Sequence, residues 1–262
     1  LVDAMHQLLC KGLEQKNLCL PDAPLPLCIT VQGGVGTHRE HQFLLRHYQA
    51  DSVGWGSPFL LVPEATAADD ATRELLANAN QDDLYTSNMS PLGVPFNAVK
   101  GMSYESLRLK RIEMEKPGSP CPKKYLALNT EYDSQGMCTA AYKYQKRKMA
   151  TLSVNDNTTD IRRITEKSCL CVGLANAALM ENSIEIKGDK GVVVCPGPNI
   201  AYFSRQYTLQ EMVQHIYGGK SVIDETNRPN LFIKELQLNI NYLKTRVDEA
   251  GENISKQLAK TK

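Results

Sequence analysis

Two glycine turns constrain the fold of this chain more than any other feature of its sequence. Residues 29–37 read ITVQGGVGT and residues 51–57 read DSVGWGS. Each places glycine directly after a short apolar run and directly before a stretch with helical spacing. Glycine permits the tight turn and lets backbone N–H groups approach an anion, and a following helix N-terminus adds a favourable dipole. Two such turns on consecutive strands grip one phosphate from two sides, an arrangement used at the mouth of parallel β/α folds. A single turn of this kind is often only a tight corner, so the signal lies in the pair.

The neighbouring residues extend the same pattern. Apolar spacing predicts an amphipathic helix over 1–17, and Pro21, Pro24 and Pro26 then break the chain. A strand buried on both faces is expected at 27–31, a helix at 38–49, a strand at 52–55, an apolar stretch at 58–62 and a helix at 68–80. Helix, strand, glycine turn, helix, strand, glycine turn, helix is β/α grammar. From 82 to 101 the chain is rich in Ser, Asn, Pro and Gly and reads as an extended loop. Beyond it come expected helices at 104–115, near 138–151, after Cys169, near 208–217 and from 231 to 247, with strands at 125–129 and 191–194. No internal repeat or flexible linker separates these parts. The division expected is 1–80, carrying the β/α units, and 81–262, a cysteine-containing extension packed against them.

Composition removes several classes of function. The 262 residues include 30 Lys and Arg against 29 Asp and Glu, a net charge of +1, so no global field attracts nucleic acid or an anionic membrane. No apolar run reaches the roughly 18–20 residues of a membrane span, and no charged-then-apolar leader opens the sequence. The expectation is a cytoplasmic protein acting on a small-molecule substrate, with no nucleic-acid or membrane partner. The first residue is Leu, inside a helical pattern, which leads us to expect an absent upstream part.

The stretch from Cys28 to Thr66 resembles the last barrel strands of nitronate monooxygenases (2-nitropropane dioxygenases) and their FMN-dependent barrel relatives. The matching residues are Gly33-Gly34-Val35, Ala50-Asp51, Gly56-Ser57-Pro58-Phe59-Leu60 and Glu64-Ala65. PLGVPFN, NTEY, CLCVGLANAALM and VVVCPGPNIAYFS, further on, resemble the C-terminal extension of uncharacterised bacterial relatives on the same barrel. The resemblance implies an α/β fold comprising the last two β/α units of a TIM barrel plus an α/β C-terminal extension. It implies a flavin-dependent oxidoreductase in which FMN does the chemistry and this chain supplies the phosphate-binding turns. Backbone N–H groups of Gly33, Gly34, Gly56 and Ser57 would hold the phosphate, with the Ser57 hydroxyl as a further donor and Val35, Gly36 and Thr37 completing the first turn. A partner chain or a missing N-terminal part would complete the barrel. Pro58 stands where the family often has Arg or Lys, and nothing matches the family's catalytic histidine. The reading from a different class is a non-catalytic accessory or interaction subunit in which the barrel remnant is structural.

No catalytic residue is assigned. His38, His41 and His47 fall on the helix between the two strands, His6 and His215 on other helices, and only His38 is placed to approach a phosphate. Of eight cysteines, Cys10, Cys19 and Cys28 precede the first glycine turn. The later five, Cys121, Cys138, Cys169, Cys171 and Cys195, offer thiolates for zinc or an iron–sulfur cluster, yet none forms the tight CxxC pair of such sites. A redox-active pair and buried structural thiols are the alternatives. Trp55, the only tryptophan, either stacks near a ligand or packs in the core. The basic run 143–148 reads as a solvated helix face, and the Asn157-Thr-Thr sequon as a polar loop.

Overall fold

The computed structural model describes residues 1–152, 158–223 and 228–260 and shows a mixed α/β protein. The expected sequon begins at Asn157 and so lies partly outside the described residues. Helix α1 (Val2–Gln15) forms as its spacing predicts but buries none of its residues. Strand β1 (Thr30–Gln32) then pairs in parallel with β2 (Ser52–Gly54), Val31 opposite Val53 and Gln32 opposite Gly54. The strand expected at 27–31 thus begins three residues later. It is also not buried on both faces, since Thr30 and Gln32 are exposed and only Val31 is partly covered.

Between these strands runs α2 (His38–His47). Thr37 starts it in extended conformation, its hydroxyl accepting the Glu40 N–H, and Leu44 anchors its inner face. After β2 the apolar stretch expected at 58–62 folds as a single 3-10 turn (Ser57–Leu61), and Asp69 caps α3 (Asp70–Asn78) through the Thr72 N–H. The two β/α units read from the sequence are therefore present.

The expected loop at 82–101 is instead an antiparallel hairpin, β3 (Leu84–Ser87) against β4 (Phe96–Val99). Its Ser, Asn, Pro and Gly residues concentrate in the connection between the two strands. There follow α4 (Ser103–Glu113), α5 (Tyr142–Ala150), α6 (Thr158–Thr165), α7 (Leu170–Glu181), α8 (Leu209–Tyr217) and α9 (Leu231–Lys260). Helix α8 begins with a reciprocal capping box between Thr208 and Glu211 and ends at left-handed Gly218, at the end of the helix expected near 208–217. In α5 the basic run is spread around the helix, with Tyr144 and Gln145 buried between exposed Lys143, Lys146 and Arg147.

The strands expected at 125–129 and 191–194 do not form as ladders. Asn129 makes only an isolated bridge with Met137. Residues 191–194 run extended through the core, but their N–H groups go elsewhere: Val192 to the Ser103 hydroxyl, Val193 to the Gly173 carbonyl, Val194 to the Met102 sulfur. One buried core joins Leu61, Val62 and Leu76 to Val99, Met102, Val193, Ile200, Phe203 and Met212. The later part of the chain therefore packs directly on the β/α units.

Candidate functional site

A cleft of about 390 Å³ opens at the C-terminal ends of β1 and β2, within the range of small-molecule sites. Its floor is the two glycine turns: Gln32, Gly33, Gly34 and Val35 from the first, Gly54 through Pro58 from the second. Five of the seven residues expected at the phosphate, Gly33, Gly34, Val35, Gly56 and Ser57, thus come together. Gly33 (φ 104°) and Gly34 (φ 69°) lie in the left-handed region, which turns the chain away from β1 and presents successive N–H groups. Among the described residues, the N–H groups of Gly33, Gly34, Gly56 and Ser57 donate to no protein acceptor.

Gly36 is the correction within this set. It is buried behind the cleft, and its N–H donates to Glu40 Oε2 at 2.9 Å. A Cβ there would lie 2.7 Å from Arg228 Nη2, so its glycine serves close packing and not a ligand. Thr37 is likewise spent on its own helix cap, and His38 Nδ1 is engaged with the Ile216 carbonyl at 2.8 Å. The Ser57 hydroxyl accepts the Gly197 N–H at 2.5 Å and keeps its own O–H to donate.

The rest of the lining was not legible in the sequence. Asn97 of β4, Cys195, Gly197, Pro198 and Asn199, and Glu235 of α9 close the cleft from distant parts of the chain. Among the described residues no Lys or Arg lines it. Behind the first turn, Arg228 forms a bidentate ion pair with Glu40, Nη1–Oε1 2.8 Å and Nη2–Oε2 2.9 Å, with both side chains almost fully buried. Its remaining N–H groups reach Asn199 Oδ1 at 3.0 and 2.7 Å, and Asn199 in turn donates to the Gly34 carbonyl. This network holds the Gly34 carbonyl, which accepts from both Asn199 and Arg228.

Trp55 both lines the cleft and packs inward, so the two alternatives read from the sequence are combined. Its Nε1 donates to His41 Nδ1 at 3.0 Å, and its ring meets the His215 ring edge-on at 5.6 Å. Burial, and then neighbouring His38, holds His41 below the usual imidazole range, which keeps the acceptor nitrogen unprotonated. His215 is itself buried, accepting from Val222 N–H at Nδ1 and pairing with the Gly36 carbonyl through Nε2. These histidines support a wall of the cleft without lining it.

The five later cysteines divide. Cys195 lines the glycine cleft, whereas Cys121 packs with Cys138 in a separate small cluster. Cys138 and Cys169 are buried, and desolvation pushes the Cys138 thiol up to about 12, so it is a protonated thiol at neutral pH. Among the described residues, no three His, Cys, Asp or Glu side chains are arranged to hold a metal ion. The zinc or iron–sulfur alternative for Cys121, Cys138, Cys169, Cys171 and Cys195 therefore has no donor set here. All eight cysteines are free. No helix among the described residues is long and apolar enough to cross a membrane.

Comparison with known proteins corrects the functional expectation. No family model matches the chain, and no curated protein does. Among solved structures it is similar to the enoyl reductase domain of MlnA from the macrolactin biosynthesis cluster of Bacillus amyloliquefaciens, at 19% identity and a TM-score of 0.36. The match covers 95% of this chain and 55% of that one, so the chain spans about half the length of that neighbour. None of these findings supports membership of the nitronate monooxygenases. The assignment as an FMN-dependent, nitronate-monooxygenase-like oxidoreductase is withdrawn, together with its flavoprotein corollaries.

Proposed function

We propose that this chain binds the phosphate end of a small polyhydroxylated ligand in the cleft above β1 and β2. The carrying observation is that Gly33, Gly34, Gly56 and Ser57 line the cleft and that, among the described residues, their N–H groups donate to no protein acceptor. Such a nest complements phosphate oxygens through fixed dipoles. Glu235 also lines the cleft, close to Gly34, and its carboxylate accepts hydrogen bonds from hydroxyl groups, which points to a phosphate ester that carries sugar or polyol hydroxyls. Phosphorylated sugar and polyol substrates belong to that group.

In this reading residues 1–80 carry the ligand turns and 81–262 brace them and supply the rest of the lining. The two parallel strands expose Thr30, Gln32 and Ser52. Parallel sheets are ordinarily covered on both faces and a two-stranded sheet is marginal alone. Further strands, from a partner chain or another part of the protein, therefore complete the sheet.

Trp55 supplies the assay, because it is the only tryptophan and lines the cleft. Titration with ribose 5-phosphate is expected to shift its emission saturably, while ribose alone leaves it unchanged. Gly34→Val, which forces a β-branched residue into the left-handed turn, is expected to weaken binding at least about tenfold. An emission unmoved by millimolar ribose 5-phosphate, or moved equally by ribose, would sink the reading.

A further inference from the structure

Helix α9 carries a second feature unrelated to the cleft. Ile233, Leu236, Ile240, Leu243 and Val247 follow one another at alternating spacings of three and four, and they are 61%, 60%, 38%, 62% and 60% exposed. The side of α9 that meets the body is a different one. Leu231 is buried, Lys234 Nζ donates to Gln81 Oε1 at 2.9 Å, and Tyr242 Oη donates to Asn88 Oδ1 at 2.7 Å. An uninterrupted apolar stripe thus points away from the molecule over the part of α9 that is anchored to it.

The residue types along that stripe are ordered. Written as heptads, Ile233, Ile240 and Val247 occupy a, and Leu236 and Leu243 occupy d; the sequence keeps the a spacing at Ile254. β-Branched residues at a with Leu at d favour two parallel strands, because their side-chain directions fill the holes of a dimer and crowd those of higher oligomers. From Ile233 to Val247 the seam is roughly 21 Å long at 1.5 Å per residue, and each copy contributes five large apolar side chains.

The flanking positions agree with self-association. In a parallel, in-register pair each g residue faces the e residue of the next heptad on the other helix. Asn239 then faces the partner's Lys244, and Arg246 faces the partner's Gly251, so no two like charges oppose each other. A stripe that is complementary to itself closes with two-fold symmetry and leaves no second copy of the surface exposed.

We propose that α9 is a dimerisation helix, pairing with α9 of a second copy of this chain as a parallel, in-register two-stranded coiled coil. Sedimentation velocity on the whole chain is expected to show a dimer at micromolar concentration. The double variant Leu236→Glu/Leu243→Glu places carboxylates in the seam and is expected to weaken the dimer at least about a hundredfold. Both sites are exposed in the single copy, so its circular dichroism apart from α9 should be kept. Ile240→Cys tests the geometry independently, since facing a positions in a parallel pair bring the two thiols together. Mild oxidation should give a covalent dimer well above that of the parent with its native cysteines. A chain that stays monomeric to about 100 µM, a dimer that survives the double variant, or an Ile240→Cys yield no higher than the parent's would overturn the proposal. The first would leave the stripe to a different partner, the second would place the interface elsewhere, and the third would exclude the parallel register.

Discussion

At the scale of single residues, the informative contact is the hydrogen bond from Trp55 to His41. His41 accepts only while its Nδ1 is unprotonated, and burial lowers its pKa in the folded chain. Its folded value lies below the unfolded value of about 6.5, so on acidification the unfolded chain takes up this proton first. The contribution to stability is complete above the unfolded value and is lost as pH falls through the folded one. Trp55 emission is therefore expected to change in a step below pH 6.5, at the folded His41 pKa. His41→Gln keeps an acceptor that does not titrate and should abolish the step; an identical step in that variant would assign it to another group. The glycine turns were legible in the sequence because their chemistry is local. Gly36 was misread for the same reason: in sequence it extends the turn, but the atoms that forbid a side chain there belong to Arg228 and Asn199, far away along the chain.

Elements were legible where their signals are internal to them. Thr37, Asp69 and Thr208 cap helices that begin where the sequence places them. Strands depend on partners, and there the reading failed in both directions. The hairpin β3–β4 was hidden by its polar connection, and residues 191–194 have strand-like composition but give their N–H groups to Ser103, Met102 and Gly173. A buried network holds α2, the 3-10 turn Pro198–Tyr202 and the start of α9 together. Glu40, Asn199 and Arg228 come one from each of these neighbourhoods and meet in a single buried network. Arg228→Ala leaves the Glu40 carboxylate buried and unpaired, which is expected to cost about 3–5 kcal/mol. Denaturant unfolding measures it, and pairing the change with Glu40→Gln should recover part of the loss. A cost below about 1 kcal/mol, the range of a surface pair, would show that the network contributes little.

For the whole molecule, the decisive fact is that the core is shared. Leu61 and Leu76 come from the β/α units, Ile200, Phe203 and Met212 from the later chain, and all are fully buried together. Phe203 also meets Tyr207 and His215 edge-on. Phe203→Ala is expected to cost about 3–5 kcal/mol and to lower one calorimetric transition as a unit. Two resolved transitions, only one of them displaced, would show that the two parts unfold independently. The mixed α/β class was readable from the alternation of apolar runs and glycine turns. The wall made by Asn97, Cys195, Asn199 and Glu235 was not, because each is an ordinary residue in its own neighbourhood and acquires a role only through folding.

The saturated guanidinium of Arg228 has a consequence for how a ligand arrives. Its charge is cancelled by Glu40 beneath the turn, and among the described residues the cleft itself presents no cation, only Glu235 and oriented peptide dipoles. Dipoles act over the last few ångströms, so nothing in the cleft draws an anion in from a distance. Capture by the proposed phosphate site should proceed at an unsteered rate, and added salt should not weaken it, because it screens Glu235 from the phosphate. In the proposed phosphate site, selection would then rest on the shape of the phosphate and the hydroxyls beside it, and not on charge attraction.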